Sequence, residues 1–198
     1  LRLRLSGLEQ GRLLERLGGN QVSMAGGELY QAAERGVIDG FEFSTPDVDW
    51  AAGFQEVTSF WSTPGWHQSA STFGVMINQS VWDSLSEDTQ RKLRVAADAT
   101  MLWSLANTER AANEAYQNFQ EAGVEITRLD DETLEMIQQL ANEVIEEVAC
   151  ENPTSARVYL SQLEYLDQYS NWRNASAPFN LGRVPAGPDL ETIRGCAE

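Results

Sequence analysis

Few side chains in this sequence could carry chemistry. His67 is the sole imidazole, so nucleophilic catalysis by a serine or cysteine would need it as general base. The two thiols, Cys150 and Cys196, lie far downstream of it. Glu42 with Asp39 or Asp47 could form an acid–base pair, a chemistry that needs two carboxyls in different environments. There is no glycine-rich phosphate loop with lysine, no Gly-x-Ser-x-Gly elbow and no Cys-x-x-Cys. One histidine and two cysteines exclude multi-histidine zinc sites and four-thiolate iron–sulfur clusters. Arg4 offers something different. In Leu1-Arg2-Leu3-Arg4-Leu5 the period of two puts the leucines on one face and both arginines on the other. A guanidinium fork suits bidentate capture of a carboxylate, and ligands of α/β sheets sit beyond the carboxyl ends of the strands. Taken alone, a solvated or salt-bridged arginine is the plainer reading.

The elements that must position these groups follow from periodicity. The spacing predicts a strand over Leu1 to Leu5, a helix over Leu8 to Leu17, a strand over Gln21 to Met24, and a helix opened by Gly26-Gly27 and closed by Gly36. A strand over Val37 to Phe43 comes next. This β-α-β-α-β order argues for an α/β lobe with a largely parallel sheet. Pro46 begins a short helix through Phe54, and Thr63-Pro64-Gly65-Trp66 makes a turn before a strand over Ser71 to Ile77. Asn78 to Leu85 is a short helix or turn, and Ser86 caps a long helix toward Ala122, with Leu93, Ala97, Met101 and Leu105 as its repeating face. Val124 to Arg128 reads as a strand, and Asp130 caps a helix with a buried stripe at Leu134, Ile137, Ala141, Val144 and Val148. Pro153 starts a last helix that packs through Tyr159, Leu163, Leu166 and Tyr169, and from Asn174 the chain reads as a loop or arm.

Composition narrows the function classes. With 14 basic and 30 acidic residues in 198, the net charge is −16 and the single lysine is Lys92, which argues against nucleic-acid binding. At 42% hydrophobic the chain is a folded one, and no apolar run approaches the ~20 residues of a membrane-spanning helix. Arginine favoured over lysine in an acidic chain fits a salty environment. Cys150 and Cys196 could form one disulfide or stand as free thiols. Starting at Leu1 inside a strand pattern, the chain reads as a fragment or processed product.

Arg4, read together with Gly26-Gly27-Glu28-Leu29-Tyr30-Gln31, Arg35-Gly36-Val37-Ile38-Asp39-Gly40-Phe41-Glu42-Phe43 and Pro64-Gly65-Trp66-His67, resembles the DctP-like solute-binding subunits of TRAP transporters. The resemblance runs from Leu1 to about Trp172 and is densest from Ala25 to Phe43. It implies a two-lobed α/β fold of the periplasmic-binding-protein kind, type II-like, with a long helix bridging the lobes and the N-terminal part of one lobe absent. Residues 1–68 would be the ligand-binding lobe with the arginine strand, residues 69–173 the crossover strand, long helix and C-terminal helices, and residues 174–198 a tail or arm. The function implied is periplasmic capture of a small organic acid, a 2-oxo or 2-hydroxy carboxylate or C4-dicarboxylate, for a sodium-driven permease. Lobe closure around the ligand would be the mechanism.

By the same resemblance Arg4 matches the arginine that holds the ligand carboxylate, Arg2 is peripheral, and Glu42, Phe43, Asp47, Trp66, His67 and Gln68 line the cleft. Members of the 2-oxo-acid branch hold a metal ion through a Glu-Trp pair and a second Glu. Here those positions are Glu42, Phe43 and Gln68, so the implied ion is a sodium or calcium at Glu42 and Gln68, with no cofactor required. Val48 and a missing tyrosine after Pro46 are further departures. The implied partners are the organic acid and the permease subunits, with no nucleic acid, and a homodimer through the C-terminal arm is a further expectation. Trp50 and Phe54 read as packing residues. The second hypothesis is a small α/β enzyme using His67 or a carboxylate pair, and the third an inert structural fragment.

Overall fold

The computed structural model describes residues 1–68 and 74–176. The chain divides into two compact units, Leu1–Val144 and Ile145–Glu198.

The first unit is built on the arginine strand. β1 (Arg2–Arg4) is followed by α1 (Leu8–Arg16), β2 (Asn20–Val22), a 3-10 turn at Gly26–Glu28, α2 (Leu29–Glu34) and β3 (Gly40–Phe41). The three strands make one parallel sheet in the order β2-β1-β3. β1 is central, and Leu3 and Arg4 lie opposite Gly40 and Phe41. The β-α-β-α-β reading is therefore correct, with strands shorter than the apolar runs suggest. α2 ends because Gly36 adopts φ +65°, a conformation that a Cβ would strain. Its amide and that of Val37 reach back to the Ala33 and Ala32 carbonyls, as in a Schellman cap. Behind the sheet, Leu29, Ala32, Ile38 and Phe54 form the core cluster, joined by Val22, Met24 and Phe41.

α3 (Pro46–Ala51) and a 3-10 turn at Phe54–Glu56 lead to β4 (Phe60–Thr63), a strand that the sequence did not announce. It pairs in parallel with β5 (Glu125–Arg128), Phe60 opposite Glu125, so its partner lies more than sixty residues away. The strand expected over Ser71 to Ile77 is a correction: residues 69–73 lie outside the described residues, and residues 74–77 form no strand. Asn78 caps α4 (Gln79–Ser84) by accepting from the Ser80 amide at 2.9 Å. Ser86 caps α5 (Glu87–Glu121) by accepting from the Thr89 amide, and Gly123 at φ +87° terminates it.

α5 is buried only toward one end. Its buried residues are Ala115 and Phe119 near the C-terminal end, where Trp50 of α3 and Trp61 of β4 meet the Phe119 ring at 5.3 and 5.2 Å. The repeating face is exposed, with Leu93 at 40%, Met101 at 65% and Leu105 at 70%. α6 (Asp131–Cys150) begins at Asp130, whose Oδ1 accepts from the Thr133 amide at 2.7 Å. In its stripe Ile137, Val144 and Val148 are buried, as the pattern predicts.

The second unit contains α7 (Pro153–Ser176), capped by Asn152, which accepts from the Thr154 and Ser155 amides. α7 runs through Asn174, where the sequence suggested a tail, and Leu163, Leu166 and Tyr169 are exposed rather than packed. Cys150 is exposed. Cys196 and the arm after residue 176 lie outside the described residues.

Candidate functional site

Parallel pairing brings the carboxyl ends of β1 and β3 to one edge, with Arg4 on the last residue of β1 and Glu42 just past β3. Arg4 is the buried charged residue of the described core, 8% exposed. Its Nη1 donates to Glu42 Oε1 at 2.7 Å and to the Glu42 carbonyl at 2.9 Å, while Nε donates to the Met24 carbonyl at 3.2 Å. Glu42 Oε1 also accepts from the Ser6 amide at 2.9 Å. The pair is almost dry, with side-chain exposures of 10% and 8%. Buried ion pairs of this kind are stable only when their remaining valences are satisfied. Among the described residues, Arg4 Nη2 has no hydrogen-bond partner, so one edge of the guanidinium fork is left for another acceptor.

His67 completes the cluster from the turn after β4. Its Nε2 lies 3.7 Å from Glu42 Oε2, beyond a hydrogen bond. Its carbonyl accepts from Gln10 Nε2 of α1 at 2.8 Å, and its ring stands edge-on to Trp66. Burial pushes the His67 pKa down, against the opposing pull of Glu42, so the ring is neutral near pH 7.

The other expected residues fall around this centre in different ways. Phe43 is 38% exposed, with its ring 5.5 Å from that of Phe54. It also lies over Gly26, where a Cβ would come within 2.4 Å of the ring. Asp47 stands in the first turn of α3 with a sealed Oδ1 that has no hydrogen-bond partner among the described residues. Gln68 is exposed. Arg2 is peripheral, as expected: it is solvent-exposed and ion-paired to Asp39 at 2.7 Å. That pairing lowers the Asp39 pKa to about 2 and removes Asp39 from an acid–base pair with Glu42.

Three contributors escaped sequence reading. Ser6 and Met24 act through backbone atoms, and Gln10 through an amide on a helix face, so no residue-type pattern marks them. The third carboxyl near Glu42 is Asp49, which accepts from the Ser44 amide at 3.0 Å. Burial raises its pKa to about 6, aided by Glu42 and Asp47 and opposed by the Ser44 bond.

The donor chemistry at Glu42 and Gln68 bears on the sodium or calcium position implied there. Glu42 Oε1 is already committed to Arg4 and Ser6, which leaves one carboxylate oxygen, and an amide at Gln68 is a neutral and weaker partner for a hard cation. Among the described residues no group of three or more His, Cys, Asp or Glu could hold a metal. A calcium ion takes six to eight oxygens, so these side chains do not fit a resident divalent ion.

A parallel sheet with an arginine at the strand ends, followed by a helix of 35 residues, is the arrangement of α/β periplasmic-binding proteins, whose fold the solved structures below share. The family model described as bacterial extracellular solute-binding protein, family 7 (DctP), matches residues 1–152, and the chain belongs to that family, the periplasmic solute-binding subunits of TRAP transporters. Among curated relatives, a monocarboxylate 2-oxoacid-binding periplasmic protein of Nostoc is 27% identical over 176 residues, 89% of this chain and 48% of the relative. Among solved structures, a TRAP solute-binding protein from Colwellia psychrerythraea with bound calcium and pyruvate is 30% identical, with TM-score 0.76, covering 89% of this chain and 54% of the other. One from Pseudoalteromonas atlantica with bound sodium and pyruvate is 25% identical, with TM-score 0.79, covering 93% and 56%. The chain thus spans about half the length of these relatives.

Proposed function

We propose that this chain carries the carboxylate-holding part of a receptor that captures a small organic acid and delivers it to TRAP permease subunits. The observation that carries this reading is the buried Arg4, fixed by Glu42 and Met24 with its Nη2 left for an acceptor. A ligand carboxylate there would gain a charge-assisted hydrogen bond from a donor that cannot lose its proton. Fixing the guanidinium beforehand lowers the ordering cost of binding. Residues 1–68 would hold this centre, with Phe43 and Trp66 as apolar wall, while residues 69–173 would carry the long helix and later elements. Closure of a second wall over the acid would remove it from water and favour the state the permease recognises.

The relatives named above support the acid class, since two of them are described with bound pyruvate and a third as a 2-oxoacid binder. They are binding proteins, in line with a receptor rather than an enzyme. Sodium or calcium accompanies pyruvate in the two structures, yet the donor set at Glu42 and Gln68 is too small to keep such an ion without the ligand's own oxygens.

A thermal-shift screen of organic acids tests the proposal, because a ligand that binds only the native state raises Tm. Expected is a rise with a small carboxylic acid that saturates with concentration. No shift from any monocarboxylate, dicarboxylate or sugar acid contradicts it.

A further inference from the structure

His67 is a polar side chain at this centre whose ring nitrogen faces Glu42 without being bonded to it. Its Nε2 lies 3.7 Å from Glu42 Oε2, while Glu42 Oε1 is taken by Arg4 and Ser6. Arg4 and His67 therefore flank opposite oxygens of one carboxylate. A separation of 3.7 Å is too long for a direct bond but short enough for a single ligand oxygen to touch both atoms, since such contacts run about 2.7 to 3.0 Å. The two atoms differ in kind. We assign the ring proton to Nε2, the nitrogen that faces a carboxylate, so Nε2 donates, whereas Glu42 Oε2 only accepts. Gln10, through the His67 carbonyl at 2.8 Å, keeps the donor in place.

We infer that His67 and Glu42 together read a hydroxyl beside the ligand carboxylate, making this chain selective for 2-hydroxy acids. Resting on the proposal that an organic acid binds at Arg4, the inference concerns the neighbouring atom of that acid. A 2-hydroxyl accepts from Nε2–H and donates its own proton to Oε2, satisfying both. A 2-oxo oxygen has no proton to give, so it accepts from His67 while its lone pairs face those of Oε2. An acid without the oxygen leaves the His67 donor unpaired, and a second carboxylate would meet the charge of Glu42. The ordering follows from donors and acceptors alone: hydroxy acid first, oxo acid and plain acid behind it.

Calorimetric titration of the full chain with L- and D-lactate, pyruvate and propionate, in buffer freed of divalent ions, tests this. One lactate enantiomer is expected to bind about ten-fold more tightly than pyruvate or propionate, the worth of one buried hydrogen bond. His67→Phe is expected to abolish the preference for lactate over propionate, whereas His67→Asn, which retains a donor, keeps part of it. Circular dichroism identifies any variant that has not folded, and the wild-type ratio needs no variant at all. Pyruvate or propionate binding as tightly as lactate overturns the inference while leaving the organic-acid reading intact. An unchanged ratio in folded His67→Phe also overturns it. If none of the acids in the wider screen binds, both fall together.

Discussion

At the residue scale, the centre shows why a sequence pattern can find one member of a site and miss its supports. The alternation of Leu1 to Leu5 marks Arg2 and Arg4 as equivalent, and only the fold separates them. Arg2 ends in solvent on Asp39, while Arg4 is buried on Glu42. Glu42 was legible through the family motif around it. Gln10, Ser6 and Met24 were not, because their contributions come from a helix amide and two backbone groups. Asp49 was equally invisible, since nothing in its neighbours' identities reports burial.

Asp49 yields a pH prediction with a definite sign. Its pKa is raised from 3.8 to about 6 in the folded chain, so between those values the native state holds a proton that the unfolded state has released. Stability therefore falls as pH rises from about 4 to 6, by up to roughly 3 kcal/mol. His67, lowered by burial, acts in the opposite direction, because the unfolded imidazole takes up a proton first as pH drops. Urea melts of wild type and Asp49→Asn across pH 4 to 8 separate the two. The variant is expected to be more stable than wild type at pH 7 and to lose that advantage by pH 4. A constant difference across the range would contradict the assignment.

At the element scale, strands and helices set by local pattern were readable, and those set by distant partners were not. The helix ends at Ser86, Asp130 and Gly36 follow from side-chain acceptors and a glycine that tolerates positive φ. β4 escaped because its pairing partner is β5, and nothing within Phe60–Thr63 specifies that partner. Periodicity in α5 marked the helix, but an apolar repeat shows that a helix has an apolar face without showing what covers it. This gives a contrast to measure by denaturant unfolding. Met101→Gln and Leu105→Gln, on the exposed stretch, should each stay within about 0.5 kcal/mol of wild type. Phe119→Ala, at the ring cluster with Trp50 and Trp61, should cost about 3 to 5 kcal/mol. A large loss at Met101 or Leu105 would mean that the long helix is covered along its N-terminal stretch.

At the scale of the whole molecule, an anion is to be bound by a chain of net charge −16. At physiological salt the mean field decays over about 8 Å, and Glu42 balances the charge of Arg4, so it is the directed N–H donor of Arg4 at contact range, not net charge, that would hold the anion. The charge argues against nucleic acid as a class but carries no information about the ligand. The fold class was legible because its parallel β-α-β-α-β order and its motifs lie within residues 1–43. The acid itself was not, since the chain spans about half the length of its relatives and residue types near Arg4 admit several acids.

The central claim is that Arg4 holds a ligand carboxylate, and calorimetric titration of wild type against Arg4→Lys with the tightest-binding acid tests it most directly. Lysine keeps the positive charge beside Glu42 but lacks the planar fork. Saturable binding to wild type with at least a ten-fold loss in the folded Arg4→Lys chain is the expected result. Equal affinity in the two folded proteins would contradict the account.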